Sequence, residues 1–354
     1  MKSVLSLKSK ADAKRRLEHV DLEVTRRCNL HCVHCSAYSK ERGEEMSLKT
    51  IKRVLREAKS MGLQNVGLTG GEPFLDRKRL MQIANFCKNE LNIPVHIHSN
   101  GTLISKRDAR WVKQIKAEIS IAFYGNTTKI HDAITGKSGS FSSTLSGLKN
   151  LISEKANVYV YFVPMKQNLH SIKPLIKMVY DMGIKHIRIL TLSPTGRAKA
   201  QFDNIELSKK DVQEFNKELS NAKRETKIEI KSGFCTSQVF SGLSILQGHE
   251  QCFAAENRIH IDTFGNVFPC TASSGRIIFS SGNIQMPENS LESIWNDSPL
   301  LQFFRNFHKN PPEKCRTCSR HSVCMSGCRV KMSYKYGDIT IPDPSCRGPY
   351  DLKP

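Results

Sequence analysis

The sequence has no apolar run near the roughly 18 residues that a membrane span requires. Its apolar stretches, such as Val158 to Met165, stop far short of that. The opening from Met1 to Lys10 carries neither the apolar core nor the cleavage site of a secretory signal. These absences read as a soluble, cytoplasmic protein with no membrane partner. No convincing internal repeat or low-complexity tract is present, and acidic residues are scarce. There are 33 Asp and Glu against 54 Lys and Arg, a formal charge of +21. Such a balance points to an anionic partner: nucleic acid, an acidic membrane face, an acidic peptide or an acidic redox protein. The basic stretch Lys8 to Arg16 reads as a solvated helix face. With 354 residues and 39% hydrophobic content, the chain can build one large core or two ordinary ones.

What is abundant is cysteine. There are twelve, and they are clustered: Cys28, Cys32 and Cys35 lie within eight residues, and eight of the twelve fall from Cys235 onward. Closely spaced cysteine pairs in an unexported chain are metal ligands more often than disulfides, because thiols stay reduced there.

Up to about residue 195, β-like segments alternate with amphipathic helical ones. The strands expected are Val20 to Val24, Asn65 to Thr69, Val95 to Ser99, Glu118 to Phe123, Val158 to Val163 and His186 to Leu192, each rich in β-branched or aliphatic residues. The clearest helix begins at Ser47 as N-cap, with Leu48, Ile51, Val54, Leu55, Ala58 and Met61 on one stripe and Gly62 as the stop. Similar stripes run through Leu80 to Cys87, Leu145 to Ile152 and Ile172 to Val179, with Cys87 as a core residue. This alternation predicts an α/β fold with a parallel sheet, a partial (β/α)6 TIM-like barrel with its chemistry at the C-terminal strand ends. After a helix at Ser208 to Ala222 the alternation stops, and cysteine, glycine and proline dominate. The division expected is a barrel domain over 1–230 and a small cysteine-rich domain over 231–354.

Cys28, Cys32 and Cys35 follow the first strand. Three thiolates this close can hold three irons of a [4Fe–4S] cluster and leave the fourth open. The spacing alone also allows a zinc site completed by His31 or His34. Thr69-Gly70-Gly71-Glu72-Pro73 ends the second strand, where glycines permit close backbone approach and Glu72 is suited to accept hydrogen bonds from an ammonium group. Ser99-Asn100-Gly101 ends the third with side chains suited to ribose hydroxyls.

Together these residues resemble the radical S-adenosylmethionine (SAM) superfamily over roughly residues 15 to 195. The family signature is C-x3-C-x-aromatic-C, with His34 in the aromatic place. The resemblance implies that Cys28, Cys32 and Cys35 hold the cluster and that SAM chelates its open iron. It implies Gly70, Gly71 and Glu72, in the Gly-Gly-Glu-Pro73 turn, at the methionyl amine and Ser99 and Asn100 at the ribose. Ser120 stands at the carboxylate or ribose. In the family, one electron from the reduced cluster cleaves SAM to a 5′-deoxyadenosyl radical, which abstracts a substrate hydrogen atom.

The C-terminal order Cys252-x12-Gly265-x4-Cys270, then Cys315-x2-Cys318-x5-Cys324-x3-Cys328-x17-Cys346, supplies seven thiolates, one fewer than two four-thiolate sites need. It resembles the SPASM extension of radical SAM enzymes in every spacing. That resemblance implies two auxiliary [4Fe–4S] clusters, one held by Cys315, Cys318, Cys324 and Cys346 and the other by Cys252, Cys270 and Cys328. Cys235 is the candidate fourth ligand of the second, against an open iron or a packing role.

SPASM enzymes mostly modify peptides or proteins, and some relatives act on haem precursors. Sulfatase-maturing members carry Asp after the cysteine equivalent to Cys270; here that residue is Thr271, which disfavours that activity. Only 27 residues precede Cys28, too few for a winged-helix leader-binding domain, so a separate leader-binding protein or the basic surface is expected to hold a leader-bearing peptide. The stretch from Phe123-Tyr124-Gly125 through His131-Asp132-x2-Thr135-Gly136 to Gly139-Ser140-Phe141 resembles the same stretch of peptide-modifying members. It reads equally as a capped βα loop. Tyr124, His131 and Asp132 are the candidates for substrate contact or proton transfer. The expectation is a radical SAM/SPASM enzyme that modifies a ribosomally made peptide or protein side chain, reduced by ferredoxin or flavodoxin. The alternatives are an enzyme of cofactor or haem-precursor biosynthesis and, more distantly, a zinc-containing nucleic-acid-binding protein.

Overall fold

The computed structural model describes residues 15–36, 45–232, 252–307, 309–319, 321 and 325–342. Seven parallel strands come in chain order: β1 (His19–Thr25), β2 (Asn65–Gly70), β3 (Val95–Ser99), β4 (Glu118–Ala122), β5 (Asn157–Phe162), β6 (His186–Ile189) and β7 (Glu229–Ser232). Two more, β8 (Arg258–Ile261) and β9 (Val267–Phe268), follow from the cysteine-rich part. The sheet order is β7-β6-β5-β4-β3-β2-β1-β8-β9. Because β1 pairs with β8 and β6 with β7, the first and sixth strands do not close on each other. The result is an open α/β sheet, parallel except at β9, which runs antiparallel to β8.

On β3 (Val-His-Ile-His-Ser), β5 (Asn-Val-Tyr-Val-Tyr-Phe) and β6 (His-Ile-Arg-Ile) branched apolar residues alternate with polar or aromatic ones, so the β-branched side chains pack on one face of the sheet. Helices α1 (Leu48–Ser60), α2 (Arg77–Asn85), α3 (Lys106–Gln114), α4 (Thr128–Thr135), α5 (Ser140–Ser153) and α6 (Ile172–Asp181) lie between successive strands, and α8 (Lys209–Glu225) precedes β7 after the short turn α7 (Phe202–Ile205). Helix α1 starts at Ser47, whose hydroxyl accepts from the Thr50 N–H, and buries Ile51, Val54, Leu55 and Ala58. One apolar core runs under the whole sheet and into the cysteine-rich part, reaching Trp295, Leu301 and Val330. Cys87 is fully buried in it.

Five strands fall within a residue or so of expectation, and β6 ends three residues earlier, at Ile189. Three strands, β7 to β9, and helix α3 were not anticipated. Helix α3 has few buried apolar residues, Ala109 and Val112, and is set instead by a Ser105–Asp108 capping box. Strand β8 extends the sheet at its β1 edge, so the cysteine-rich segment shares the sheet and core of the N-terminal part. No helix among the described residues is long and apolar enough to cross a membrane.

Candidate functional site

A cavity of about 400 Å³ opens at the C-terminal strand ends, and six cysteines line it: Cys28, Cys32 and Cys35 from the loop after β1, and Cys252, Cys270 and Cys328 from the C-terminal part. The β1 loop is held by backbone contacts from three other loops. After β2, the Gly71 and Glu72 N–H groups donate to the Thr25 and Arg27 carbonyls at 2.7 and 2.8 Å. After β4, the Thr135 and Ile134 carbonyls accept from His31 and Val33. After β6, the Arg197 N–H donates to the Cys35 carbonyl at 2.9 Å, its Nε to that of Cys32 at 2.9 Å, and Gln201 Nε2 to that of Val33 at 2.9 Å.

Glycine is required at these contacts by proximity. A Cβ on Gly71 would stand 2.2 Å from the Arg27 carbonyl oxygen, and one on Gly196 would stand 2.4 Å from that of Cys35. The Gly-Gly pair lines the cavity, where a ligand approach is expected, and Gly71 also lets the chain approach itself, fixing the cysteine loop on the sheet. Gly70 (φ +130°) does the same against the Thr25 carbonyl.

Glu72 is fully buried. Its carboxylate accepts from the Phe74 N–H, from Ser99 Oγ at 2.8 Å and from the Asn100 N–H at 2.7 Å. Burial outweighs these donors and pushes its carboxyl up to about 7. It therefore braces the β3 end, and Pro73 starts the 3₁₀ turn behind it. Gly70, Gly71, Ser99, Asn100 and Ser120 all line the cavity, whereas Glu72 and Pro73 lie behind its wall. Asn100 Nδ2 donates to Asn29 in the cysteine loop at 2.9 Å, and Ser120 Oγ sits 2.9 Å from His98 Nδ1.

His34 packs edge-on against Tyr124, ring centroids 4.4 Å apart, and both line the cavity. Burial, with Arg197 and His131 beside it, takes His34 down to about 3, so its ring is neutral; its buried Nδ1 has no hydrogen-bond partner. Burial holds the Tyr124 hydroxyl well above its usual range. His131 and Asp132 do not line the cavity. His131 Nδ1 accepts from the Tyr124 N–H at 3.2 Å. The Asp132 carboxylate accepts from the Gly139 N–H (2.6 Å), Ser140 Oγ (2.8 Å) and the Phe141 N–H (2.7 Å), tying the start of α5 to the end of α4.

The two cysteine sets are joined by a buried polar network that sequence reasoning missed. Glu23 of β1 accepts from Arg26 Nε (3.1 Å), two residues before Cys28, and from Ser274 Oγ (2.9 Å), four after Cys270, and contacts His260 Nε2 of β8 (3.0 Å). Thr271 Oγ1 donates to Asp21 at 3.1 Å. Cys315 and Cys318 lie outside the cavity wall, at the short helix Glu313–Arg316. Cys235, Cys324 and Cys346 lie outside the described residues.

The donor sets suit iron–sulfur clusters. Burial pushes the Cys28 thiol up to about 11 and that of Cys270 up to about 12, so neither is a reactive thiolate by itself; cationic iron is what makes such thiols ligands. Three thiols on one clamped loop, beside a cavity, leave room for a fourth, exchangeable ligand.

Comparison with known proteins agrees. Residues 22–179 match the model of the Radical SAM superfamily, and residues 252–319 that of SPASM, an iron-sulfur cluster-binding domain. An AdoMet-dependent heme synthase of Methanosarcina barkeri is 26% identical over 346 residues, 92% of this chain and 94% of that one. Mycofactocin maturase MftC of Mycobacterium tuberculosis is 25% identical over 328 residues, 92% of this chain and 81% of that one. Among solved structures, Streptococcus suis SuiB bound to its precursor peptide SuiA has a TM-score of 0.75 at 20% identity, covering 94% of this chain and 76% of that one, a likeness of fold. With both signature domains in place, the chain belongs to the radical SAM superfamily, as an enzyme that uses S-adenosylmethionine and a [4Fe–4S] cluster and carries a C-terminal SPASM domain for auxiliary iron–sulfur clusters.

Proposed function

We propose that this enzyme modifies a ribosomally made peptide or protein side chain, by a crosslink, a thioether or a related change. The observation that carries the reading is that one cavity is lined both by Cys28, Cys32 and Cys35 and by Cys252, Cys270 and Cys328. A side chain inserted between the two sets meets hydrogen abstraction on one side and an electron acceptor on the other. Similarity to MftC, a maturase, and the fold shared with SuiB, which binds a precursor peptide, support it.

In this reading Cys28, Cys32 and Cys35 hold the SAM-binding cluster, and SAM with that cluster supplies a 5′-deoxyadenosyl radical when bound. Ser99, Asn100 and Ser120 meet SAM from the strand ends, while Glu72 orients the Ser99–Asn100 turn. Cys252, Cys270 and Cys328 hold the inner auxiliary cluster, with Cys235 as the candidate fourth ligand. Cys315, Cys318, Cys324 and Cys346 hold the outer one. Tyr124, packed on His34, shapes the mouth, and residues 231–354 form the auxiliary-cluster domain. The electron donor is ferredoxin or flavodoxin, and a separate protein presents any leader.

The test is anaerobic incubation of reconstituted enzyme, SAM and reductant with peptides encoded beside the gene, read by mass. Loss of hydrogen marks a crosslink, and solvent-deuterium uptake without other change marks epimerisation. Full-length similarity to the heme synthases favours a second reading, a haem-precursor substrate. An unchanged peptide set alongside a mass change in an iron coproporphyrin would decide for it.

A further inference from the structure

The interior face of the sheet is unusually polar where a barrel interior is ordinarily packed with branched apolar side chains. On β6 the alternation is clear: Ile187 and Ile189 are fully buried on the outer face, and Arg188 faces the cavity in register with Tyr161 of β5. Five Arg and Lys side chains line that cavity, against two carboxylates, Asp21 and Glu23.

Most of those cations have duties to the protein. Arg197 holds the cysteine loop through the Cys32 carbonyl. Arg329 donates to the Ile339 carbonyl and Lys331 pairs with Glu206 at 3.3 Å. Arg258 faces Asp21 from the neighbouring strand. The carboxylates are also engaged: Asp21 meets His19 and Thr271, and Glu23 meets Arg26, His260 and Ser274. Arg188 differs. Its contact among the described residues is the Tyr159 ring, 5.1 Å from the guanidinium carbon, and its buried Nε has no hydrogen-bond partner.

A guanidinium carries five donors in a planar fork that matches a carboxylate two at a time, and the half-buried Arg188 presents that fork to the cavity with no carboxylate paired to it among the described residues. In an enzyme whose substrate enters this cavity, the missing anion belongs to what enters. We infer that Arg188 is a specificity-determining residue that binds a carboxylate of the substrate. This rests on the peptide reading above, in which the available anions are an Asp or Glu side chain and the chain's C-terminus.

The experiment uses reconstituted, SAM-loaded, full-length protein and calorimetric titration with two matched pairs of probes. One pair is acetyl-Gly-Glu-Gly-amide and acetyl-Gly-Gln-Gly-amide; the other is acetyl-Gly-Gly-Tyr as free acid and as amide. The carboxylate member of one pair is expected to bind more tightly than its neutral partner. Arg188→Gln is expected to weaken that binding about 10- to 100-fold, the range for a charge-assisted hydrogen bond. Arg188→Lys, which keeps the charge without the fork, is expected to recover part of it. The variants are compared at equal iron content.

Equal binding of each pair together with no Arg188-dependent binding of coproporphyrin III, or equal affinity of the carboxylate probes in Arg188→Gln, would overturn the inference. So would a fall in SAM affinity of the same size, which would assign the guanidinium to SAM's own carboxylate. Tight, Arg188-dependent binding of coproporphyrin III with no peptide preference would keep Arg188 as the carboxylate residue and sink the peptide reading. Peptide modification at the wild-type rate in Arg188→Gln would do the reverse.

Discussion

Replacing Gly71 by Ala is the sharpest way to ask whether the cysteine loop is held as described. Gly71 does not have a left-handed backbone, so alanine introduces no conformational strain, only a methyl group. That methyl would stand 2.2 Å from the Arg27 carbonyl oxygen and 2.6 Å from that of Arg26. Both are backbone atoms that no rotamer change can move aside. Relief to an ordinary contact needs a separation of about 1 Å, which stretches the Gly71–Thr25 and Glu72–Arg27 hydrogen bonds, now 2.7 and 2.8 Å. Overpacking costs about 1 to 3 kcal/mol and each strained backbone bond about 1 kcal/mol, so about 3 to 5 kcal/mol falls on the turn that carries Cys28. The loop is expected to yield first. Purified Gly71→Ala protein should then hold about eight irons in place of about twelve, losing one four-iron cluster, and form little 5′-deoxyadenosine from SAM. The comparison is Gly183→Ala, at φ +91° with nothing within 4 Å of its would-be Cβ. It should cost about 1 to 2 kcal/mol of backbone strain and leave iron content unchanged. Full iron and wild-type cleavage in Gly71→Ala would refute the clamp.

Three further outcomes follow from the site. Asp132→Ala removes the acceptor of three bonds at the start of α5 and should lower denaturation stability by about 1 to 2 kcal/mol. Asp132→Asn should lose less; a severalfold fall in turnover with undiminished stability would instead give Asp132 a part in proton transfer. Glu72, raised on folding from 4.5 to about 7, contributes stability fully below about pH 4.5 that is lost as pH rises towards 7. The stability of ligand-free wild type relative to Glu72→Gln should accordingly fall by about 3 kcal/mol over that window, followed by urea titration. A flat difference would remove the buried-carboxyl assignment. Glu23→Gln weakens the network that joins the two cysteine sets through Arg26 on one side and Ser274 and His260 on the other, and the potential of the SAM-binding cluster, read by EPR-monitored titration, should shift. An unmoved potential would leave Glu23 a purely structural residue.

The strands most legible in the sequence were those with runs of β-branched residues between turn signals, as in Val95 to Ser99 and Asn157 to Phe162. Strand β7 has only four residues, Glu-Ile-Lys-Ser, too few for alternation to register, and it forms because β6 offers an edge. Helix α3 is held by its cap more than by an apolar stripe. At the site, cysteine spacing pointed to metal because thiolates that close have few other uses. This part of the clamp was not legible: Gly196, Arg197 and Gln201 lie more than 100 residues from the loop they hold, and nothing local distinguishes them from ordinary turn residues. Glu72 illustrates the opposite limit. Its motif drew attention to the right turn, but only burial and three donors reveal that its carboxylate faces into the protein.

Cys28, Cys32 and Cys35 are proposed together to hold the cluster at which SAM is cleaved. Replacing all three by Ala and measuring iron and 5′-deoxyadenosine, anaerobically and with reductant, tests it most directly. About four of about twelve irons should be lost, with SAM cleavage abolished and the auxiliary clusters retained. Continued 5′-deoxyadenosine formation, or full iron content, in that variant would contradict the account.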